Sequence, residues 1–161
     1  MANSKLTAGA GEHYIAYVLS CFDYVAALVR EGSPTIDLLA SNVDGSRTIG
    51  VQVKTTEYAV RTRGRGKNKR PHEIQFPLGH KAIENAVPDL IFCFVDLRTR
   101  NPDERPDVYV IPANTLIEYY KDTDIRNIPY FRLHWPIESM EIYKNNWDPI
   151  HRALGSSELK T

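Results

Sequence analysis

Four residues in the first third of the chain have types and spacing that suit joint action on an anionic substrate: Glu12, Asp37, Gln52 and Lys54. Asp44-Gly45 lies between two short runs, Ile36 to Ser41 and Thr48 to Thr55, and Asp-Gly in such a place is a strong hairpin signal. With the turn centred there, paired residues have numbers summing to 89, so Asp37 faces Gln52. Opposed residues of an antiparallel pair have Cβ atoms roughly 4.5–5.5 Å apart, close enough for two side-chain oxygens to share one small cation. A two- or four-residue loop with the same centre keeps this pairing, whereas an off-centre bulge breaks it. Alternation puts Lys54 on the same face, away from the apolar stripe Ile49, Val51 and Val53. A carboxylate, an amide oxygen and an ammonium then converge. Glu12 follows Gly9 and Gly11, which permit close approach of another backbone or ligand. Each residue also has an ordinary use by itself. A glutamate in an opening helical turn is stabilised by the helix dipole, and the other three suit solvated strand positions.

The elements that must hold these residues can be read from periodicity. From about Thr7 to Arg30, Ile15, Val18, Leu19, Phe22, Val25, Ala26 and Val29 recur at helical spacing, and Gly32 and Pro34 supply the stop. The hairpin follows. Glu73-Ile74-Gln75-Phe76 alternates as a third strand, Lys81 to Val87 suits a short helix ending before Pro88, and Asp89 to Leu97 suits a buried strand. Asp107 to Ile111 is a further strand, and Asn114 or Thr115 can cap a helix through Tyr120. Tyr130 to Trp135 suits an edge strand, and Asp148-Pro149 can open a last helix over Ile150 to Leu154. The order is α-β-β-β-α-β followed by further elements, an α/β class with a mixed sheet. No repeat or linker divides the 161 residues, so one domain is expected, with a basic loop at 61–70 and a C-terminal elaboration at 98–161.

Twenty basic and twenty acidic residues give a net charge of zero, which by itself argues against a nucleic-acid partner. The distribution says otherwise. Residues 1–60 hold four Lys/Arg against six Asp/Glu, residues 61–81 seven against one, and residues 82–161 nine against thirteen. The block Arg61, Arg63, Arg65, Lys67, Lys69 and Arg70, interleaved with Gly64 and Gly66, reads as a mobile basic loop. Such a run is either a solvated surface or a phosphate-binding element, since an anionic backbone rewards clustered cations through counterion release. Cys21 and Cys93 sit in apolar runs far apart, which suits two reduced core thiols and a cytoplasmic setting. The N-terminal stretch lacks a signal-peptide profile, and no apolar run is long enough to span a bilayer, so no membrane partner is expected.

Gly11-Glu12 on a helix, Asp37 within Ile36-Asp37-Leu38-Leu39-Ala40, and Gln52-Val53-Lys54 after a hairpin together resemble the PD-(D/E)XK nuclease superfamily. That superfamily includes restriction enzymes, archaeal Holliday-junction resolvases and a subgroup of intron-encoded homing endonucleases. The resemblance covers residues 8–56 well and the rest loosely. Most members have an acid where this chain has Gln52, and the homing endonuclease subgroup is similar to it in using Gln-x-Lys. The resemblance implies a restriction-endonuclease-like core and a DNA endonuclease using Mg²⁺, with Mn²⁺ as a substitute. Asp37 would be the principal ligand, with the Gln52 amide oxygen and the Val53 carbonyl completing a hard oxygen set. Lys54 would orient the attacking water or stabilise transition-state charge. Glu12 would hold a water of the cation's shell or a second ion. Cutting both strands needs two sites, so a homodimer is implied. The rival is a catalytically inactive nuclease-fold module that binds nucleic acid or a protein partner, as the neutral Gln52 suggests.

Other candidates suit structural roles. His13, His72, His80, His134 and His151 have no metal-ligand spacing, and Gly64 and Gly66 lack the Gly-Lys-Ser/Thr ending of a phosphate loop. Tyr119, Tyr120, Tyr130, Phe131 and Trp135 can stack on bases, but core or interface packing is their expected use. Thr55 and Thr56 can donate to phosphate or simply end a strand.

Overall fold

The computed structural model describes residues 3–30 and 32–155, so residues 156–161 of the expected C-terminal elaboration lie outside the described residues. Helix α1 (Ser4–Cys21) opens on Asn3, whose side chain accepts from the Lys5 N–H. It buries Thr7, Gly11, Ile15, Val18 and Leu19, one face at three- and four-residue spacing. The helix stops nine residues before Arg30, the end expected from its periodicity. Asp23 takes φ = +62°, its N–H donates to the Ser20 carbonyl, and the Tyr24 N–H donates back to Leu19. That is a Schellman stop with aspartate in the position glycine usually fills. Val25–Leu28 consequently forms strand β1, not a continuation of the helix. Valine fits a half-exposed strand at least as well as a helix.

Strand β2 (Leu38–Ser41) pairs antiparallel with β1 on one side and with β3 (Thr48–Thr56) on the other. The β2–β3 partners run from Leu38↔Val51 to Ser41↔Thr48, the register set by the Asp44-Gly45 turn. Gly45 sits at φ = +72°, and Asn42 ties the turn by accepting from the Arg47 N–H. Strand β6 (Ile91–Asp96) then lies parallel to β3, and β7 (Asp107–Pro112) closes a five-stranded sheet in the order β1-β2-β3-β6-β7. Every residue of β6 is buried, as a central strand covered on both faces requires.

The expected third strand belongs elsewhere. β4 (Val60–Arg63), β5 (Arg70–Pro77) and β8 (Arg132–Pro136) form a separate three-stranded antiparallel sheet in the order β4-β5-β8. β1 is the strand that completes the α-β-β-β-α-β order in the main sheet. The basic segment is therefore the end of a hairpin and not an irregular loop. Arg61 and Arg63 are on β4, Arg70 is on β5, and a short 3₁₀ turn covers Gly66–Asn68. β8 is an edge strand, as expected.

Two cores share the main sheet. On one face α1 and α5 (Asp148–Leu154) cover Leu38, Val51, Val53 and Cys93. On the other, Phe92 and Phe94 meet Phe76 and Leu133 of the smaller sheet, together with α2 (His80–Glu84) and Leu116 of α3 (Ala113–Tyr120). Full burial of a phenylalanine stabilises by about 1.5–3 kcal/mol, so the Phe76, Phe92 and Phe94 cluster fixes the smaller sheet on the larger. A short helix α4 (Ile137–Met140) follows β8. Of the two cysteines only Cys93 is a core thiol; Cys21 ends α1 in solvent, because the Schellman stop turns the chain before it can be covered. No helix of the described residues is long and apolar enough to cross a membrane.

Candidate active site

Strand β3 carries the site, and β2 and α1 approach it from either side. Asp37 lies immediately before β2, and its N–H donates to the Val51 carbonyl at 2.9 Å, so Asp37 and Leu38 both stand opposite Val51 and a bulge breaks the Asp37–Gln52 pairing expected from the turn. Its Oδ2 accepts from the Val53 N–H at 2.6 Å. A strand residue sends its N–H and C=O to the same edge, so the Val53 carbonyl faces the Asp37 side as well. Burial pushes the Asp37 carboxyl above the usual carboxylate range, and the Val53 N–H and the Lys54 ammonium oppose that rise. Burial likewise pulls Lys54 below the usual lysine range, and Asp37 pulls it back.

Glu12, Asp37, Val53 and Lys54 line one open cleft of about 540 Å³. Glu12 and Asp37 also border a smaller one of about 360 Å³, where Lys5 and Arg30 stand. Gly11 explains how Glu12 comes so near β3. A Cβ at position 11 would lie 1.9 Å from Thr55 Oγ1, so only glycine lets α1 pack this closely, whereas Gly9 faces open space.

Gln52 does not line the cleft. It is 5% exposed, and its Oε1 is buried with no hydrogen-bond partner. Buried amide oxygens are normally paired, because an orphan loses its hydration without replacement. An orphaned buried oxygen on the strand that also binds the Asp37 carboxylate suits a hard cation, and the donor chemistry of Asp37, Gln52 and the Val53 carbonyl fits Mg²⁺. Among the described residues no cluster of three or more His, Cys, Asp or Glu has the arrangement to hold a metal ion. Thr55 Oγ1 is a second buried atom without a partner.

The basic residues are outside the cleft lining. Arg61 donates to Gln75 Oε1, and Arg70 donates to the Lys67 and Lys69 carbonyls. Arg63, Arg65, Lys67 and Lys69 are exposed. The opposite wall is made by Pro77, Gly79, Tyr130 and Arg132, residues that the sequence gives no reason to place beside Asp37. Their only early signal is Gly79, a glycine after a strand, here at φ = +75°. The aromatic set divides: Tyr120, Phe131 and Trp135 are buried, and Tyr119 and Tyr130 are exposed. His151 meets the Tyr24 hydroxyl and His134 lies near Glu73, both structural contacts.

No protein-family model matches the chain, and no curated protein matches it. Among solved structures it is similar to a bacterial homing endonuclease, I-Ssp6803I, with a TM-score of 0.59 at 13% identity over 96% of each chain. The chain thus has a mixed α/β fold, a five-stranded sheet flanked by helices, of the kind found in that homing endonuclease.

Proposed function

We propose that the protein is a DNA endonuclease of the PD-(D/E)XK type, in which Asp37, Gln52 and the Val53 carbonyl hold Mg²⁺. The observation that carries this reading is the meeting of Glu12, Asp37, Val53 and Lys54 in one cleft, with an orphaned Gln52 oxygen buried on the same strand as Val53 and Lys54. The likeness of fold to a homing endonuclease supports it. The bound cation would supply charge neutralisation and a nucleophilic water at neutral pH. Asp37, held by the Val53 N–H, keeps one oxygen committed to the backbone and presents the other. Lys54 stands beside Asp37 and would balance the charge that develops on the phosphate, or orient the attacking water. Loss of such an electrostatic group costs on the order of 10²–10³ in rate. Glu12 adds negative charge on the α1 side, partly offsetting the neutral Gln52. The hairpin cations Arg63, Arg65, Lys67 and Lys69 would grip the DNA backbone, with Arg61 and Arg70 shaping the hairpin beneath them. A homodimer would bring two clefts to one duplex.

The test is incubation of supercoiled and branched DNA with the protein and Mg²⁺ or Mn²⁺. Cleavage is expected, and both Asp37→Ala and Lys54→Ala should abolish it. Undiminished cutting by both variants overturns the assignment. Gln52, neutral where an acid is usual, favours a second reading, an inactive nuclease-fold module that binds nucleic acid or a protein. Calorimetry separates the two, because only the enzyme requires Mn²⁺ binding that Asp37→Ala removes.

A further inference from the structure

The wall of the larger cleft that includes Tyr130 is pinned where β5 ends and β8 begins. The N–H groups of Leu78 and Gly79 both donate to the Phe131 carbonyl, at 3.3 and 2.9 Å. The Phe131 ring is buried and packs edge-on against Tyr120, with centroids 5.0 Å apart. Arg132 pairs with Pro77. Tyr130, next to this anchor, is 92% exposed and has φ = +52°. A non-glycine residue in the left-handed region is strained, and such strain persists only where the surroundings impose it. Here the imposed conformation does not bury the ring. It holds the ring in water at the rim of the cleft, beside exposed Arg132 and across from Glu12, Asp37 and Lys54. Tyr119, the neighbouring exposed tyrosine, is different: its ring lies 4.7 Å from those of Tyr120 and Trp135 and belongs to the packing.

We propose that Tyr130 is a stacking platform for a nucleobase of the strand whose phosphodiester enters the cleft, a role that rests on the nuclease reading. The anchored backbone fixes where the ring is presented, so no backbone freedom is lost when a base covers it. Every nucleobase has a π-face, so this contact positions the strand without reading its sequence. Arg132 supplies a cation for the adjoining phosphate on the same wall. The base must be unstacked from at least one neighbour, so the occupant is a locally opened or single-stranded segment.

Photocrosslinking tests this with the full chain in an Asp37→Asn background, which binds without cutting, on DNA of random sequence carrying 5-iodouracil. Crosslinks are expected at Tyr130, mapped by mass spectrometry. Tyr130→Ala should lose them and weaken binding about 10-fold, the usual effect of removing one base-stacking ring, while Tyr130→Phe keeps both. DNA bound equally well by Tyr130→Ala, with crosslinks elsewhere, overturns the platform and leaves the nuclease reading standing. Absence of DNA binding by the parent protein overturns both.

Discussion

The carboxylate of Asp37 accepts a hydrogen bond from the backbone N–H of Val53, 2.6 Å away and two residues beyond Val51, whose carbonyl accepts from the Asp37 N–H. The two bonds tie the residue that enters β2 to neighbouring positions of β3, the strand that carries Lys54. Asp37→Asn keeps an oxygen for the Val53 N–H and removes the charge. It should fold as well as the parent, with an undiminished thermal midpoint, while metal-dependent cleavage falls by on the order of 10²-fold or more. Circular dichroism and a plasmid-nicking assay report the two outcomes separately.

Gln52→Glu places a second carboxylate in a buried position of β3. Without divalent cation it should destabilise by about 1–3 kcal/mol, as an unpaired buried charge does. Mg²⁺ or Mn²⁺ should raise its melting temperature by more than the parent's, because the added charge increases affinity only when the cation is present. Equal metal-induced shifts in the two proteins would place the cation away from Gln52.

The two glycines of α1 should behave in opposite ways. Gly11→Ala drives a methyl into Thr55 and should cost about 1–3 kcal/mol, partly recovered by Thr55→Ala in the same chain. Gly9→Ala meets open space and should stabilise by about 0.5–1 kcal/mol through helix propensity. Urea titrations of the three variants beside the parent measure this.

Asp96 is 2% exposed and accepts from the Arg98 N–H, and burial raises its pKa. The folded protein therefore keeps that proton to a higher pH than the unfolded chain does. The resulting stability is fully present below the ordinary carboxylate range and is lost as pH rises through the raised value, and Asp37 contributes with the same sign. Asp96→Asn should flatten this part of the curve. Its advantage over the parent in urea midpoint should be larger at about pH 7 than at about pH 3.

Neutralising Arg63, Arg65, Lys67 and Lys69 to Gln should leave the melting temperature within a few degrees and weaken DNA binding. The slope of log affinity against log salt should fall by about 0.9 for each phosphate that the hairpin then leaves without a cation. An unchanged slope would remove the hairpin from the interface.

What could be read in advance follows from how local each signal is. The Leu38–Val51 register of β2 on β3 was legible because a single turn, Asp44-Gly45, dictates it; the bulge that slips Asp37 off Gln52 was not, since it carries no glycine or proline. The end of α1 was not, since Asp23 adopts the left-handed stop that glycine normally marks. Glu73 to Phe76 announced a strand by alternation, but alternation does not name a partner, and the segment joined β4 and β8 instead of β3. The density of arginine and lysine hid β4, whose register with β5 also shifts between Arg61 and Thr62. Tyr130 and Arg132 reach the cleft only through the packing of one sheet on the other, which no local pattern encodes.

The parallel pairing of β3 with β6 has a consequence for biosynthesis. A nascent chain that has exposed its first 60 residues already contains Glu12, Asp37, Gln52 and Lys54, and can close the β2–β3 hairpin. It lacks the strand that flanks β3 on its other side, and it lacks the Arg132 wall. Non-local pairings form slowly because loop closure precedes their reward. The polypeptide therefore leaves the ribosome with its candidate catalytic residues made early and its cleft assembled late.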